Sequence, residues 1–275
     1  MSEPATWGFR RTLLDVTDKL HLARPIVRAY ELALATRWEL RSRREIAPDG
    51  LPLPTARLRT QIGPLHADGE FFLRSGRSQA DLVRDLLSES GVLIDELDAL
   101  LDFGCGCGRV LRHWSRLEGT HRYGCDIDAR MVEWCVANLP FADVTLNELD
   151  PPLPYPASSF DLVYAFSVFT HLSEDLQHTW IDECQRVLRP GGHLLISTLG
   201  EYYASRKRLT GSEREAFANG RLVVLYERSA GTSLCSAYHP PSYVRDELAR
   251  GFDFVAFRPA AAEGGHDVHL LRKPA

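Results

Sequence analysis

Residues 100–110, LLDFGCGCGRV, decide the fold, because an apolar run ends there in three glycines spread over five positions. A strand that runs into a glycine-rich turn lets its backbone approach a small ligand closely. A dinucleotide loop reads G-x-G-x-x-G, and a phosphate loop reads G-x-x-x-x-G-K followed by Ser or Thr. Gly104, Gly106 and Gly108 are spaced G-x-G-x-G and are followed by Arg109. The stretch therefore predicts a ligand loop that belongs to neither type.

Two cysteines, Cys105 and Cys107, fill the gaps between these glycines. Two cysteines without a partner cluster do not supply the four ligands of a structural metal site. We interpret them as small residues in a tight turn and predict no metal site. The other cysteines are interpreted as core residues: Cys125, Cys135, Cys184 and Cys235.

The composition is typical of a globular protein. The chain has 275 residues, of which 44% are hydrophobic and 25% charged, so it is long enough to bury a sizeable core. A net charge of −5 argues against a nucleic-acid partner. The first residues are too polar for a secretory signal, and no apolar run approaches the roughly 18 residues of a transmembrane segment. We expect a cytoplasmic protein with reduced cysteines.

The chain is expected to divide after residue 76. Residues 1–76 are predicted to form an N-terminal helical segment, over residues 10–45, and a proline-rich linker. The helix has an arginine-rich face, interpreted first as a solvated face. Contact with a second copy or with an anionic surface is the alternative. Residues 77–275 are predicted to form the main domain, which begins with a helix near residues 77–90.

From residue 99 onwards, short apolar runs alternate with helical patterns, which predicts a parallel sheet with helices on both faces. The glycine turn is expected to lead into a helix over GRVLRHWSRL. Residues 200–240 form a connection longer than the sheet requires. We interpret this segment as a lid or an insertion at an acceptor site.

Four segments resemble, in order, the motifs of the class I S-adenosylmethionine-dependent methyltransferases. LDFGCGCGRV resembles motif I, and YGCDID resembles the end of the second strand. PLPYPASSFDLVYAF resembles the segment that enters strand four, and RVLRPGGHLLIS resembles the turn into strand five. The resemblance implies a Rossmann-like seven-stranded sheet with a closing antiparallel strand pair, and S-adenosyl-L-methionine as the cofactor.

The resemblance also implies the cofactor-binding residues. The loop backbone would receive the methionine end of the cofactor, Asp126 the ribose hydroxyls and Ile127 the adenine. Asn147 is the first choice for the adenine amino group, and Glu148 and Asp150 are the alternatives. The full predicted set is Asp102, Gly104, Cys105, Gly106, Asp126, Ile127, Asn147, Glu148, Phe166 and Ser167.

The sequence DPPL, residues 150–153, bears some likeness to a motif of enzymes that methylate exocyclic amines of bases. That motif follows strand four, whereas DPPL precedes it, and Leu153 has no aromatic ring to stack on a flipped base. We interpret the two prolines as a turn.

Two histidines, His171 and His239, are the candidate general bases, because histidine titrates near neutral pH. His171 follows strand four, where ligands of open α/β sheets bind. It could instead cap the next helix or pack on the cofactor. His239 lies in the segment 200–240.

These observations predict a methyltransferase that acts on a small-molecule acceptor, with oxygen as the preferred atom and no nucleic acid as partner. The alternative is a regulatory or interaction module that binds S-adenosylmethionine without transferring its methyl group. A nicotinamide dehydrogenase is disfavoured by the glycine spacing.

Overall fold

The computed structural model describes residues 47–205, 209–262 and 264–275. The helix expected over residues 10–45 lies outside the described residues, and so does any contact that this helix makes with a second copy or a surface.

Helices of very different lengths surround the sheet. The longest helix of the described residues, Gly69–Glu89, begins where Asp68 accepts a hydrogen bond from the Glu70 N–H. The helix Glu174–Val187 begins where Ser173 accepts one from the Leu176 N–H. In chain order the helices are α1 (Ala56–Ile62), α2 (Gly69–Glu89), α3 (Ala129–Asn138), α4 (Glu174–Val187), α5 (Glu201–Tyr203), α6 (Gly211–Ala218) and α7 (Pro241–Tyr243), which continues as the π-helix Val244–Leu248.

The sheet has the expected seven strands, in the order β3-β2-β1-β4-β5-β9-β8. The first five of these are parallel, and β9 and β8 close the sheet as the antiparallel pair. A separate antiparallel pair is formed by β6 and β7. The strands are β1 (Ala99–Phe103), β2 (His121–Asp126), β3 (Asp143–Leu146), β4 (Phe160–Ala165), β5 (Leu188–Thr198), β6 (Val223–Leu225), β7 (Ser236–Tyr238), β8 (Asp253–Ala262) and β9 (His266–Arg272).

The core lies on both faces of the sheet, since every residue of β1 is buried. Leu100 joins one apolar cluster, with side chains of α2 and α3. Leu101 joins the cluster on the opposite face, with side chains of α4 and the π-helix. Because successive side chains of a strand point to opposite faces, a continuous apolar run such as β1 produces two cores.

Residues 47–68, which we term the N-terminal strap, pack against the sheet domain. The fully buried Arg112 donates from Nε to Asp49 Oδ2 at 2.6 Å and from Nη2 to Asp49 Oδ1 at 3.0 Å. The buried Arg59 donates to the carbonyl groups of His66 at 3.0 Å and Ala67 at 2.6 Å. The expected boundary after residue 76 falls inside α2, so this helix connects the strap to the sheet domain.

The helix expected directly after the glycine turn does not form. Turns and a 3₁₀ helix, Leu111–Trp114, replace it. Leu111, Arg112 and Trp114 are all fully buried, and Trp114 Nε1 donates to Tyr164 Oη at 2.8 Å. Neighbouring residues that must reach different buried partners do not fit one face of a regular helix.

Candidate functional site

A cavity of about 630 Å³ opens at the carboxyl ends of β1, β2 and β4. This is the edge at which open α/β sheets bind their ligands. It brings together nine of the predicted residues: Gly104, Gly106, Asp126, Ile127, Asn147, Glu148, Phe166, Ser167 and His171. Asp102, Cys105 and His239 are absent from its lining.

The glycine turn forms one wall of the cavity. Gly104 and Gly106 have φ values of +77° and +55°, in the left-handed region that favours glycine. A Cβ on Gly104 would overlap Val168 Cγ2, and a Cβ on Gly106 would lie 3.3 Å from Ile62 Cδ1. The turn is therefore enclosed between the segment after β4 and the N-terminal strap.

Asp126 ends β2 at the base of the cavity. Its Oδ2 accepts a hydrogen bond from the Gly106 N–H at 2.8 Å, and its Oδ1 accepts one from the Asp128 N–H at 2.9 Å. Burial raises the pKa of Asp126, and these backbone donors oppose the rise. The carboxylate thus links the glycine turn to the residues that begin α3.

Asn147 follows β3 and is buried. Its Nδ2 donates to the Glu148 carbonyl at 2.7 Å, which fixes the orientation of the amide because a carbonyl only accepts. The other amide atom, Oδ1, is buried and has no hydrogen-bond partner among the described residues. A buried acceptor without a partner on a cavity wall is suited to an amino group of a ligand.

Asp102 and Cys105 support the glycine turn from behind. Asp102 is buried, and its Oδ2 has no hydrogen-bond partner among the described residues. Burial raises its pKa to about 7, against the hydrogen bond from Tyr164 and the charge of Arg109. The Cys105 thiol donates to the Gly106 carbonyl at 3.5 Å, and the Cys105 N–H donates to the Cys125 carbonyl at 2.9 Å, so this residue supports the turn from behind the cavity wall.

Ser167, directly after β4, has a strained backbone with φ at +63°. Its N–H donates to the buried Ser197 Oγ at 2.8 Å, and its Oγ lies 3.2 Å from Thr170 Oγ1. Phe166 lines the cavity beside it. These hydrogen bonds hold the segment after β4 in one conformation at the cavity wall.

His171 lies in the 3₁₀ helix after β4 and lines the cavity. Its Nδ1 lies 2.6 Å from the Cys235 carbonyl oxygen, and its own carbonyl accepts from the Gly231 N–H at 2.8 Å. Because a carbonyl only accepts, Nδ1 carries the hydrogen and Nε2 keeps its lone pair. Among the described residues, Nε2 has no hydrogen-bond partner. Burial lowers the pKa of His171, which keeps the ring neutral at pH 7.

His239 lies outside the cavity and is fully buried. Its Nε2 lies 2.8 Å from Gln177 Oε1, and burial lowers its pKa to about 3. Gln177 in turn donates to the Leu172 carbonyl at 3.1 Å, so its Oε1 is the acceptor. The structure therefore gives His239 a packing role beneath the segment that contains His171.

All six cysteines are buried, and none of them forms a disulfide within the described residues. The described residues contain no group of three or more acidic, histidine or cysteine side chains placed to bind a metal ion. No helix in the described part of the chain has both the length and the apolarity needed to cross a membrane.

Residues 101–196 match the family model described as "Methyltransferase domain". The chain is 26% identical over 183 residues to phosphoethanolamine N-methyltransferase of Plasmodium falciparum, with 66% of each chain covered. It is 30% identical over 150 residues to malonyl-[acyl-carrier protein] O-methyltransferase of Yersinia pestis, covering 51% of this chain and 54% of that one. The chain thus spans about two thirds or less of the length of these relatives.

A solved structure shares the fold. An S-adenosylmethionine-dependent methyltransferase of Mesorhizobium loti matches with a TM-score of 0.53 and 19% identity, covering 71% of this chain and 98% of that one. Residues 101–196 therefore carry a methyltransferase domain, and the fold around it is that of S-adenosylmethionine-dependent methyltransferases.

The cavity fits S-adenosylmethionine on three features of the structure. The left-handed glycines Gly104 and Gly106 form a stretch of the cavity wall without side chains. Asp126 presents a carboxylate to the cavity, and Asn147 presents a buried acceptor that lacks a partner among the described residues. Each feature matches one part of the cofactor: the methionine end, the ribose hydroxyls and the adenine amino group.

Sequence reasoning missed several residues of this methyltransferase site. Gln61 and Ile62 of the strap, Arg130 of α3 and Trp180 of α4 all line the cavity. Residues 231–234, inside the expected lid segment, line it as well. Neither Gln61 nor Ile62 belongs to a motif or a periodic pattern, so no sequence signal marks them.

Arg109, which follows the glycine turn, is buried. It is 8% exposed, and its Nη1 donates to Ser75 Oγ of α2 at 3.4 Å. Its charge lowers the pKa of the neighbouring Asp102. A buried arginine next to the glycine turn could not be recognised from the sequence, because arginine is usually a surface residue.

Proposed function

We propose that the protein transfers a methyl group from S-adenosylmethionine to a hydroxyl group of a small-molecule acceptor, with His171 as the general base. The observation that carries this proposal is the fixed tautomer of His171, whose basic Nε2 belongs to a neutral ring on the wall of the cavity that also contains Gly104 and Asp126. The activity, the acceptor and the roles of the site residues are all part of the proposal.

The cofactor, when bound, supplies an electrophilic methyl group on a sulfonium, which leaves as a neutral thioether. Asp126 accepts hydrogen bonds from the ribose hydroxyls, and Asn147 Oδ1 accepts one from the adenine amino group. Gly104 and Gly106 present their backbone to the methionine end, with Asp102 behind them. Ile127, which is 45% exposed, packs against the adenine.

His171 Nε2 takes the proton of the acceptor hydroxyl as the oxygen attacks the methyl group. A base at this position lets the hydroxyl react as a better nucleophile, whereas an amine acceptor need only be unprotonated. The hydrogen bond from Nδ1 to the Cys235 carbonyl stabilises the imidazolium that forms.

A small-molecule acceptor is supported by the net charge of −5, which disfavours a polyanionic partner. The names of the curated relatives cover both nitrogen and oxygen acceptors, and further matches include tRNA and rRNA methyltransferases. The preference for oxygen therefore depends on His171 alone. A cytoplasmic location is also part of the proposal and is supported by six cysteines that form no disulfide within the described residues.

The experiment compares His171→Gln with a control variant, His121→Gln. His121 is exposed at the amino end of β2, away from the cavity. The acceptor is found first, from the product labelled by methyl-tritiated S-adenosylmethionine in cell extracts. We expect His171→Gln to lower kcat by about 10²- to 10⁴-fold, the contribution of a general base. Its affinity for S-adenosylhomocysteine should change by less than about threefold, because His171 is proposed to contact the acceptor.

The pH dependence of wild-type kcat/KM gives a second measurement. The base must be unprotonated, and burial lowers the pKa of His171, so activity should be constant at neutral pH and fall only below about pH 6.5. Unchanged kcat in His171→Gln would contradict the role of the base. Cofactor binding without transfer to any acceptor would instead favour the regulatory module.

A further inference from the structure

The N-terminal strap lies outside residues 101–196, the part of the chain that the family model covers, yet it forms part of the cavity wall. The sequence between residues 46 and 64 has the composition of a linker. In the structure two of its residues, Gln61 and Ile62, line the cavity at the end of α1.

Both residues contact elements proposed to hold the cofactor. Ile62 Cδ1 would lie 3.3 Å from a Cβ on Gly106, so its side chain covers the glycine turn directly. Gln61 Oε1 accepts a hydrogen bond from Arg130 Nη2 at 3.4 Å. Arg130 pairs with Asp128, whose N–H donates to Asp126. The strap therefore reaches both the glycine turn and the residues around the ribose carboxylate.

The strap is held in place by a buried ion pair. Arg112 is fully buried and makes two hydrogen bonds with Asp49, at 2.6 and 3.0 Å. It also donates to the carbonyl groups of Leu51 and Pro52. The Arg112 N–H is bonded to the Gly108 carbonyl at 3.1 Å, so the residue that holds the strap belongs to the structure that follows the glycine turn.

We propose that the N-terminal strap is part of the cofactor site, with Gln61 and Ile62 as contact residues for the methionine end and with Asp49 and Arg112 as positioning residues. The proposal rests on the proposed function, because it assumes that the cavity binds S-adenosylmethionine. Ile62 supplies an apolar cover over the glycine turn, which excludes water from the cofactor. The Gln61 amide, oriented by Arg130, supplies a polar group beside that cover.

The test compares Asp49→Asn with the matched control Asp161→Asn. Each aspartate is partly buried, pairs with one arginine and accepts a hydrogen bond from a backbone N–H, at 3.0 Å for Asp49 and 2.8 Å for Asp161. Asp161 pairs with Arg189 near the amino ends of the strands, away from the cavity. Each substitution thus removes one aspartate–arginine pair, at opposite ends of the sheet, and Arg189 keeps Asp98 as a second partner at 2.9 Å.

Calorimetry with S-adenosylhomocysteine measures the effect on the full chain. We expect Asp49→Asn to weaken binding about tenfold, within the range typical of coupled sites. Asp161→Asn should leave affinity within about twofold of wild type, although both variants lower Tm. A direct variant, Gln61→Ala, leaves the ion pair intact and should weaken binding by about threefold or more.

The double variant distinguishes positioning from a general loss of stability. If Asp49 acts through the strap, Gln61→Ala should have a smaller effect in the Asp49→Asn background than in wild type. Wild-type affinity in both Asp49→Asn and Gln61→Ala would overturn the proposal while leaving the proposed function intact. Failure of wild type itself to bind S-adenosylhomocysteine would overturn both.

Discussion

The two ends of the sheet offer a direct comparison, because each has a cleft lined by aspartate, histidine and aromatic side chains. The cleft at the amino ends measures about 320 Å³ and includes Asp98, His121, Tyr155 and Arg189. The cavity at the carboxyl ends measures about 630 Å³. Residue types alone do not distinguish the two clefts.

Hydrogen bonding does distinguish them. In the amino-end cleft, Arg189 is bonded to Asp98 at 2.9 Å and to Asp161 at 2.7 Å, and Tyr155 Oη lies 2.9 Å from Thr145 Oγ1. In the carboxyl-end cavity, Asn147 Oδ1 and His171 Nε2 have no hydrogen-bond partner among the described residues. Asn147 Oδ1 is also buried, and since buried polar groups are normally paired, an unpaired acceptor on the cavity wall indicates a place for a ligand.

The largest difference between the two ends of the sheet is expected when one aspartate at each end is replaced by alanine in separate variants. Asp126→Ala should weaken S-adenosylhomocysteine binding by more than about 100-fold, because two hydrogen bonds from the ribose to a charged group are lost at about 1.5–3 kcal/mol each. Asp161→Ala should lower Tm without changing affinity. Calorimetry and thermal unfolding of both variants measure the difference, and an Asp126→Ala affinity within about threefold of wild type would remove the ribose assignment.

A smaller effect on ligand binding is expected when one glycine at each end of the sheet is replaced by alanine. Gly104 and Gly191 both have left-handed backbones, with φ at +77° and +79°. An alanine substitution at either position should therefore lower the free energy of unfolding by about 1–2 kcal/mol. A Cβ at Gly191 meets nothing within 4 Å, whereas one at Gly104 overlaps Val168 Cγ2 in the cavity wall.

The free energy of unfolding should therefore fall by about 1–3 kcal/mol more in Gly104→Ala than in Gly191→Ala, which is the usual range for overpacking. It should also weaken S-adenosylhomocysteine binding by about tenfold or more, because Val168 must move. Chemical denaturation and calorimetry check both effects. Equal stability losses, together with unchanged affinity in both variants, would show that the glycine turn tolerates a side chain and is not closely fitted to a ligand.

Local sequence patterns mark several of the residues that line the carboxyl-end cavity. The glycine spacing identifies Gly104 and Gly106, and a strand that ends in an acid identifies Asp126. Alternating apolar runs predict the parallel sheet, the motif resemblance implies its seven strands, and both are confirmed. Such features depend on residues that are close together in the chain, so the sequence alone reveals them.

Features that depend on distant residues could not be predicted. Ile62 lines the cavity from a strap that is joined to the sheet domain by the contact of Arg112 with Asp49, across more than sixty positions. The helix expected after the glycine turn is replaced by turns for the same reason, since Arg112 and Trp114 have distant buried partners. His239 lies in the expected lid segment, but its depth of burial depends on Gln177 of α4.

The smallest effect concerns stability in acid. Burial lowers the pKa of His239, next to the carboxyl end of β5, to about 3. The nearby His266 and His269 add repulsion, and their own pKa values are also lowered, to about 4 and about 3. Burial lowers the pKa of His193, nearer the amino end of β5, as well. An unfolded histidine titrates near pH 6.5, so the unfolded chain binds more protons than the folded chain below that pH.

The stability that neutral His239 contributes is therefore complete above about pH 6.5 and is lost as the pH falls towards 3, by about 2 kcal/mol at pH 5. Glutamine at this position can still donate to Gln177 but cannot be protonated. His239→Gln should accordingly reduce the loss of stability between pH 7.5 and pH 5, and His193→Gln should reduce it less, because His193 is less enclosed. Urea denaturation of each protein at pH 7.5 and at pH 5 measures its loss of stability between the two pH values. Any destabilisation by a substitution that is equal at both pH values cancels in this comparison. An equal acid sensitivity in wild type and His239→Gln would mean that the buried ring takes up a proton without cost, which its enclosure by α4 and β7 does not allow.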